Sequence, residues 1–299
     1  WMDNGQTALL TNLTESPGAI SWSPDGQWIA FTMQVKASQK PLASAPSKPA
    51  KADWAPPVKL IDTLVYRVDG AGFLEAGYSH VFVVSAEGGS PRQLTSGNFN
   101  HDGPLSWTPD SNNIVFSANR NEDWEYEPVE SEIFTLALSD GKLKQLTTRL
   151  GPDSNAVVSP NGKHIAYTGF DDREQGYQLT YLYVMDVDGS NPRILTDKLD
   201  RSVFNPQWSG NNKIYFQYDD KGVASLGAVS LSGKISSMAA SLGGTTLGRP
   251  YTSGSYTVAK NGAYAITLNT VHHPADIAAG KNGKVKQLTR LNDDLFAHK

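Results

Sequence analysis

The chain has 299 residues, of which 39% are hydrophobic and 10% aromatic, and its formal net charge is −4 at pH 7. This acidic balance leaves no basic face to neutralise a phosphate backbone, so nucleic acid is not an expected partner. No apolar run reaches the roughly 18 residues of a membrane-spanning helix, which argues against membrane insertion, and the lack of cysteine excludes disulfides, thiol catalysis and cysteine-ligated zinc.

The first residues read as the end of a repeat whose other strands are missing. The sequence QTALLT at 6–11 is similar to the segment that closes later repeats, and no signal-peptide pattern precedes it. We therefore predict that residues 1–13 are the remnant of an upstream unit in a truncated chain.

Two hairpin motifs recur along the rest of the chain. Each reads as strand, tight turn, strand, because Asp-Gly and Gly-Gly pairs supply the positive φ of a hairpin turn between β-branched and aromatic runs. The first motif occurs as WSPDGQWIAF at 22–31 and again at 107–116, 158–167, 208–217 and 258–267. The second occurs as HVFVVSAEGGSPRQLT at 80–95 and again at 132–147 and 181–196. Each unit therefore has four strands.

The spacing of the first motif predicts the architecture. Successive copies from Trp107 onward are separated by 51, 50 and 50 residues, and four-stranded units with a period of roughly 40–50 residues are typical of β-propeller blades. We predict an all-β fold, a β-propeller with five complete blades in residues 14–289 and a partial one before them. Trp22, Trp107 and Trp208 are predicted to lie in the blade cores.

The first interval, from Trp22 to Trp107, is 85 residues and therefore contains an insertion. Residues 36–57 are rich in Pro, Ala, Ser and Lys, which predicts a flexible loop, with the blade resuming at Val58.

Longer segments resemble one family. YRVDGAGFLEAGYSHVFVV at 66–84, SANRNEDWEYEPVESEIF at 117–134 and LTRLNDDLFAHK at 288–299 are similar to the propeller of bacterial prolyl oligopeptidase family serine peptidases, in the acylaminoacyl-peptidase and dipeptidyl-peptidase-like branch. The resemblance implies a seven-bladed parent ring, a linker starting at 290–299 and a following α/β-hydrolase domain as partner. It also implies short peptides as substrates, no cofactor, and a periplasmic or secreted location.

The chain contains no G-x-S-x-G nucleophile elbow, so we assign it no catalytic residue and expect it to be inactive alone. The acidic segment NEDWEYEPVESE at 121–132 is the candidate substrate-binding loop. In related dipeptidyl peptidases a propeller glutamate pair binds the substrate's amino terminus, and the resemblance extends that role to Glu125 and Glu127. A solvated charged surface is the alternative.

Strand parity predicts where this loop lies. In a four-stranded antiparallel unit, the exits of the second and fourth strands share an end, so the long loops at 33–79, 119–131 and 169–179 should face the missing domain.

Two other patterns are similar to metal sites, but neither is expected to bind a metal ion. DVDGSN at 186–191 begins like a calcium loop but lacks its closing glutamate and occupies a hairpin turn. His272 and His273 are adjacent and would point to opposite faces of a strand.

Two functions remain open from the sequence. The chain is either the propeller that gates and positions peptides for a serine exo- or oligopeptidase, or a non-enzymatic TolB-like propeller that binds a protein in the bacterial envelope.

Overall fold

The computed structural model describes residues 3–37, 43, 46–55, 58–244, 254–270, 272–291 and 293. The regular elements in these residues are short antiparallel β-strands grouped into four-stranded units, which confirms the predicted all-β propeller fold. No helix in this part of the chain is long and apolar enough to cross a membrane.

Units 1, 2 and 3 are separate four-stranded sheets in which neighbouring strands are antiparallel. Unit 1 consists of β1 (Gly18–Trp22), β2 (Trp28–Lys36), then, after the small hairpin of β3 (Arg67–Val68) and β4 (Gly72–Phe73), β5 (Gly77–Ser85) and β6 (Arg92–Gln93). Unit 2 consists of β7 (Ser106–Trp107), β8 (Asn113–Ala118), β9 (Glu132–Ala137) and β10 (Leu143–Gln145). Unit 3 consists of β11 (Asp153–Val158), β12 (His164–Gly169), β13 (Tyr181–Asp186) and β14 (Arg193–Ile194).

Units 4 and 5 share one eight-stranded sheet, joined by a single pair between Leu242 and Leu268. Unit 4 consists of β15 (Val203–Ser209), β16 (Lys213–Asp220), β17 (Val223–Ser230) and β18 (Ile235–Leu242). Unit 5 consists of β19 (Tyr256–Val258), β20 (Ala263–Thr270), β21 (His273–Lys281) and β22 (Lys284–Gln287). The seven-bladed parent ring stays a prediction.

The hydrophobic cores lie between neighbouring units. Ala30 and Val81 of unit 1 pack with Phe116 of unit 2, and Leu182 of unit 3 packs with Phe216 of unit 4. Each sheet therefore buries side chains against its neighbours, which is how a propeller stabilises sheets too small to fold alone.

The recurring Leu-Thr pair has a structural role that the repeat did not reveal. In four units the threonine Oγ1 accepts the backbone N–H of the third strand at 2.8–2.9 Å. The threonine and strand residue pairs are Thr95 and Val81, Thr147 and Ile133, Thr196 and Leu182, and Thr289 and Ile277. The hydroxyl thus satisfies a donor where the short fourth strand has ended.

Two of the three predicted core tryptophans connect neighbouring units, whereas the third is exposed. Trp107 Nε1 donates to the Ser21 carbonyl at 3.2 Å and Trp208 Nε1 donates to the Val157 carbonyl at 2.9 Å, each reaching back to the preceding unit. The prediction for Trp22 is wrong: this side chain is 58% exposed. No strand among the described residues precedes β1, so the indole has no neighbouring sheet to cover it.

The first strands of units 1, 3 and 4 share a bulge. Their pairing register shifts within β1, β11 and β15, next to residues with positive φ: Ala19 at 46°, Asn155 at 54° and Asn205 at 51°. Asparagine tolerates this left-handed conformation better than alanine, so Ala19 carries local strain.

Residues 3–13 form no strand, but Leu10 and Leu13 pack against the outer core of unit 1. A Cβ atom at Gly88 would lie 2.7 Å from the Leu10 carbonyl, and one at Gly189 would lie 2.7 Å from the Leu146 carbonyl. Leu10 therefore occupies the same position relative to unit 1 that Leu146 occupies relative to unit 3. The assignment of residues 1–13 to an upstream unit stays a prediction.

The predicted flexible insertion at 36–57 lies partly outside the described residues, as does most of the predicted linker at 290–299. The prediction that unit 1 resumes at Val58 is wrong, because β2 pairs with β5 along its whole length, from Trp28 and Ser85 to Lys36 and Gly77. That ladder is complete without Val58, which is 98% exposed.

Candidate functional site at the loop face

One end of the units, which we call the loop face, carries the exits of the second and fourth strands. The described part of the connection between β2 and β5 meets the loop 119–131 there. The rings of Tyr78 and Trp124 are in edge-to-face contact at 6.3 Å, and Leu64 N donates to Glu125 Oε1 at 3.1 Å. The structure therefore places these two long connections on one face, as strand parity predicts.

The two predicted substrate-binding residues have different surroundings. Glu125 is half-buried, and its side chain accepts a hydrogen bond from the backbone N–H of Leu64 in the neighbouring connection. Glu127 is exposed, and its backbone is held by three hydrogen bonds. Glu127 N donates to Asp123 O at 3.0 Å, and Glu127 O accepts from Asn119 Nδ2 at 2.6 Å and from Glu130 N at 3.2 Å. A preorganised turn thus presents the Glu127 side chain to solvent.

The last two glutamates of the acidic segment turn inward, which sequence reasoning did not anticipate. Glu130 and Glu132 are only 9% and 8% exposed. Glu130 Oε1 accepts the Gly151 N–H at 2.9 Å, and Glu132 Oε2 accepts the Thr147 hydroxyl. Burial raises the pKa of Glu132 to about 7, and the nearby Asp153 charge acts in the same direction, while the Thr147 hydrogen bond opposes both.

Asp153 and Arg149 complete this buried cluster between units 2 and 3. Asp153 is fully buried and pairs with Arg149, which also binds Asp171 at 3.1 Å and lies 4.5 Å over the Tyr183 ring. Burial raises the pKa of Asp153 to about 6 although the guanidinium opposes the shift. Asp153 Oδ2 has no hydrogen-bond partner among the described residues. The cluster therefore holds more carboxyl groups than cations, which favours a proton on one of them near neutral pH.

The junction of units 1 and 2 carries basic groups at equivalent places. His101 Nδ1 lies 3.0 Å from the Ser79 carbonyl, and its Nε2 lies 2.5 Å from Arg120 Nη1. The ring of His80 lies 5.1 Å from that of His101, and the Arg120 guanidinium lies 4.7 Å over the Phe99 ring. Burial, together with the Arg120 charge, lowers the pKa of His101 to about 4 and also lowers that of His80. Both rings are therefore neutral at pH 7.

Backbone hydrogen bonds establish the equivalence of the two junctions. His101 N donates to Ser79 O as Asp153 N donates to Ser131 O. His80 and Glu132 each precede the residue whose N–H binds the Leu-Thr hydroxyl. The sequence contains a signal that could have found His80 and Glu132. Each is a titratable residue that directly precedes a buried run of strand residues and lies 15 positions before that threonine.

The remaining sequence candidates have local roles. In the 186–191 turn the Asp186 carboxylate accepts from Asn191 at 2.7 Å, and the Asp188 carboxylate accepts from Ser190 at 2.6 Å. His272 is exposed in the turn before β21.

The His273 ring lies between two carboxylates, 3.5 Å from Asp276 and 3.3 Å from Asp293. These residues line a cavity of about 320 Å³ at the end of unit 5. No group of three or more His, Cys, Asp or Glu side chains suited to a metal ion occurs in the described part of the chain.

The curated relatives that match part of the sequence include two peptidases. The uncharacterized peptidase YuxL of Bacillus subtilis is 29% identical over 120 residues, which covers 40% of this chain and 18% of YuxL. Dipeptidyl-peptidase 5 of Porphyromonas gingivalis is 28% identical over 137 residues, covering 44% of this chain and 20% of that protein. The matched region thus spans about a fifth of either relative.

Solved structures show the same fold. The acylaminoacyl peptidase of Pyrococcus horikoshii superposes with a TM-score of 0.67 at 16% identity, over 96% of this chain and 40% of that one.

The sequence model of the PD40 family, described as the TolB beta propeller domain, matches residues 71–247, which is more than half of the chain. The chain belongs to the TolB β-propeller domain family.

Proposed function

We propose that this propeller is part of a serine peptidase and that it admits and positions short peptides for an α/β-hydrolase domain that follows it. The observation that carries the proposal is the sequence match to two curated peptidases, together with the fold shared with an acylaminoacyl peptidase. The proposal places the protein in the bacterial periplasm or outside the cell.

The loop face is the part of the chain that would meet the peptide. Its acidic loop presents the Glu127 side chain to solvent from a hydrogen-bonded turn, and Glu125 lies beside it against Leu64. A carboxylate held in this way favours a positively charged group, and the free amino terminus of a peptide is such a group. Glu125 and Glu127 are therefore the proposed contacts to the substrate's amino terminus.

The test compares Glu125→Gln and Glu127→Gln in the full-length enzyme on one peptide in free and N-acetylated forms. Loss of a charge-assisted hydrogen bond should raise KM for the free peptide by about 10-fold or more and leave the acetylated peptide unaffected. Glu87→Gln is the matched control, because Glu87 is an exposed glutamate in the turn between the third and fourth strands, at the opposite end of unit 1. If both loop variants process both peptides like the parent, the acidic loop is a solvated surface.

A TolB-like module that binds a protein of the bacterial envelope is the second candidate, and the family match favours it. The coding sequence beyond Lys299 separates the two. A hydrolase sequence with a G-x-S-x-G elbow supports the peptidase, whereas a stop codon supports the binding module. The peptidase proposal also expects no labelling of this chain by a serine-directed fluorophosphonate.

A further inference from the structure

Three inter-unit junctions of the loop face each contain an arginine, and one of the three differs from the others. Arg149, between units 2 and 3, pairs with Asp153 and Asp171. Arg201, between units 3 and 4, pairs with Asp220 at 2.8 Å. Arg120, between units 1 and 2, has no carboxylate within ion-pair distance among the described residues.

The contacts that Arg120 does make are to neutral groups. Its Nη1 lies 2.5 Å from His101 Nε2 and 3.5 Å from the Ser96 carbonyl, and its guanidinium packs on the Phe99 ring. Burial lowers the pKa of Arg120, and no carboxylate raises it, in contrast to Arg149 and Arg201. A half-buried cation without a counter-ion is unfavourable in a purely structural role, because its lost hydration is not replaced.

The packing holds the guanidinium in one orientation. One face of the guanidinium lies against Phe99, and one edge is taken by His101, while the side chain remains partly accessible to solvent. A guanidinium held in this way offers two parallel N–H donors, which match the two oxygens of a carboxylate. Because the side chain is already ordered, it loses little conformational entropy on binding.

We propose that Arg120 binds the carboxylate of a peptide-like ligand at the loop face. A carboxylate fits better than a phosphate for an electrostatic reason. The loop that begins beside Arg120 carries four exposed or half-buried carboxyl side chains in residues 122–127, whose field opposes a dianion more strongly than a single negative charge. The two neighbouring histidines are neutral and add no positive charge.

This proposal goes beyond the peptidase assignment, because it concerns binding by residues of this chain and needs no catalysis. The probes are N-acetyl-dialanine with a free C-terminal carboxylate and the same compound as its C-terminal amide. Acetylation removes the amino terminus, so Glu125 and Glu127 do not contribute and the two proposals fail independently.

Binding is measured by NMR titration of the purified protein, with the His80 and His101 ring signals as the local readout. The wild-type protein should bind the carboxylate about 10-fold to 150-fold more tightly than the amide, as expected for one charge-assisted contact. Arg120→Gln should abolish this preference, and Arg120→Lys, which keeps the charge but loses the fork, should retain part of it. The control Arg201→Gln should keep the full preference, because Arg201 is already paired with Asp220.

Thermal unfolding separates binding from a structural role. Arg120→Gln should unfold at the same temperature as wild type or higher, since it removes an uncompensated cation. The proposal is overturned if wild type binds acid and amide equally, if Arg120→Gln or Arg120→Lys retains the whole preference, or if Arg201→Gln loses it.

Discussion

Replacing Glu132 by Gln should change how stability depends on pH. The folded-state pKa of Glu132 is raised from 4.5 to about 7 because the side chain is buried beside Asp153. Between these two values the folded protein binds more protons than the unfolded chain. The stabilisation from this group is therefore complete below pH 4.5 and is lost as the pH rises through about 7.

The size of the effect follows from the two pKa values. Each pH unit of difference corresponds to about 1.4 kcal/mol, so ionising Glu132 in the folded protein costs up to about 3 kcal/mol. Gln resembles the protonated carboxyl in shape, and its carbonyl oxygen can still accept the Thr147 hydroxyl. Glu132→Gln should accordingly match wild type near pH 4.5 and exceed it by about 2–3 kcal/mol at pH 8.5.

The assay is urea unfolding followed by tryptophan fluorescence, with wild type and variant compared at several pH values between 4.5 and 8.5. The difference between the two proteins isolates Glu132 from the many other carboxyls that titrate in the same range. Glu127→Gln, an exposed change in the same loop, is the control for a Glu-to-Gln substitution in this segment. A constant difference between wild type and Glu132→Gln over this range would refute the reasoning.

Three further predictions concern the repeat itself and are checked by the same unfolding assay. Thr196→Val should destabilise the protein by about 1–3 kcal/mol, because it leaves the Leu182 N–H buried without an acceptor, and Thr196→Ser should lose much less; equal losses would contradict the hydrogen-bond role. Ala19→Asn should stabilise by about 0.5–1 kcal/mol by relieving strain at φ 46°, while Asn205→Ala should destabilise, and no gain at position 19 would count against the strain. Trp208→Phe should cost about 1 kcal/mol or more through the lost inter-unit hydrogen bond, and a neutral result would show that water replaces it.

The repeat and its strands could be read from the sequence because their signals are local. Asp-Gly and Gly-Gly turns set the hairpins, and the steady spacing of the first motif set the size of the unit. Strand parity also predicts that the long loops at 33–79 and 119–131 lie on one face. None of these inferences requires knowledge of which side chains meet across units.

The errors and omissions arise where the outcome depends on a neighbouring unit. Trp22 has the same sequence context as Trp107, yet Trp107 is buried against unit 1, whereas no strand among the described residues covers Trp22. Glu127 and Glu132 belong to one acidic run, but one faces solvent and the other is buried against Thr147. Arg149 and Arg201 pair with carboxylates, whereas no carboxylate of the described residues lies within ion-pair distance of Arg120.

The sequence by itself therefore determined the fold, the order of the strands and the face on which the long loops lie. Tertiary structure alone decided which charges are buried, which are paired, and that the half-buried Arg120 contacts neutral groups rather than a carboxylate among the described residues. The physical reason is that turn chemistry and strand period act within a few residues, whereas desolvation and ion pairing depend on groups that meet only after separate units have packed together.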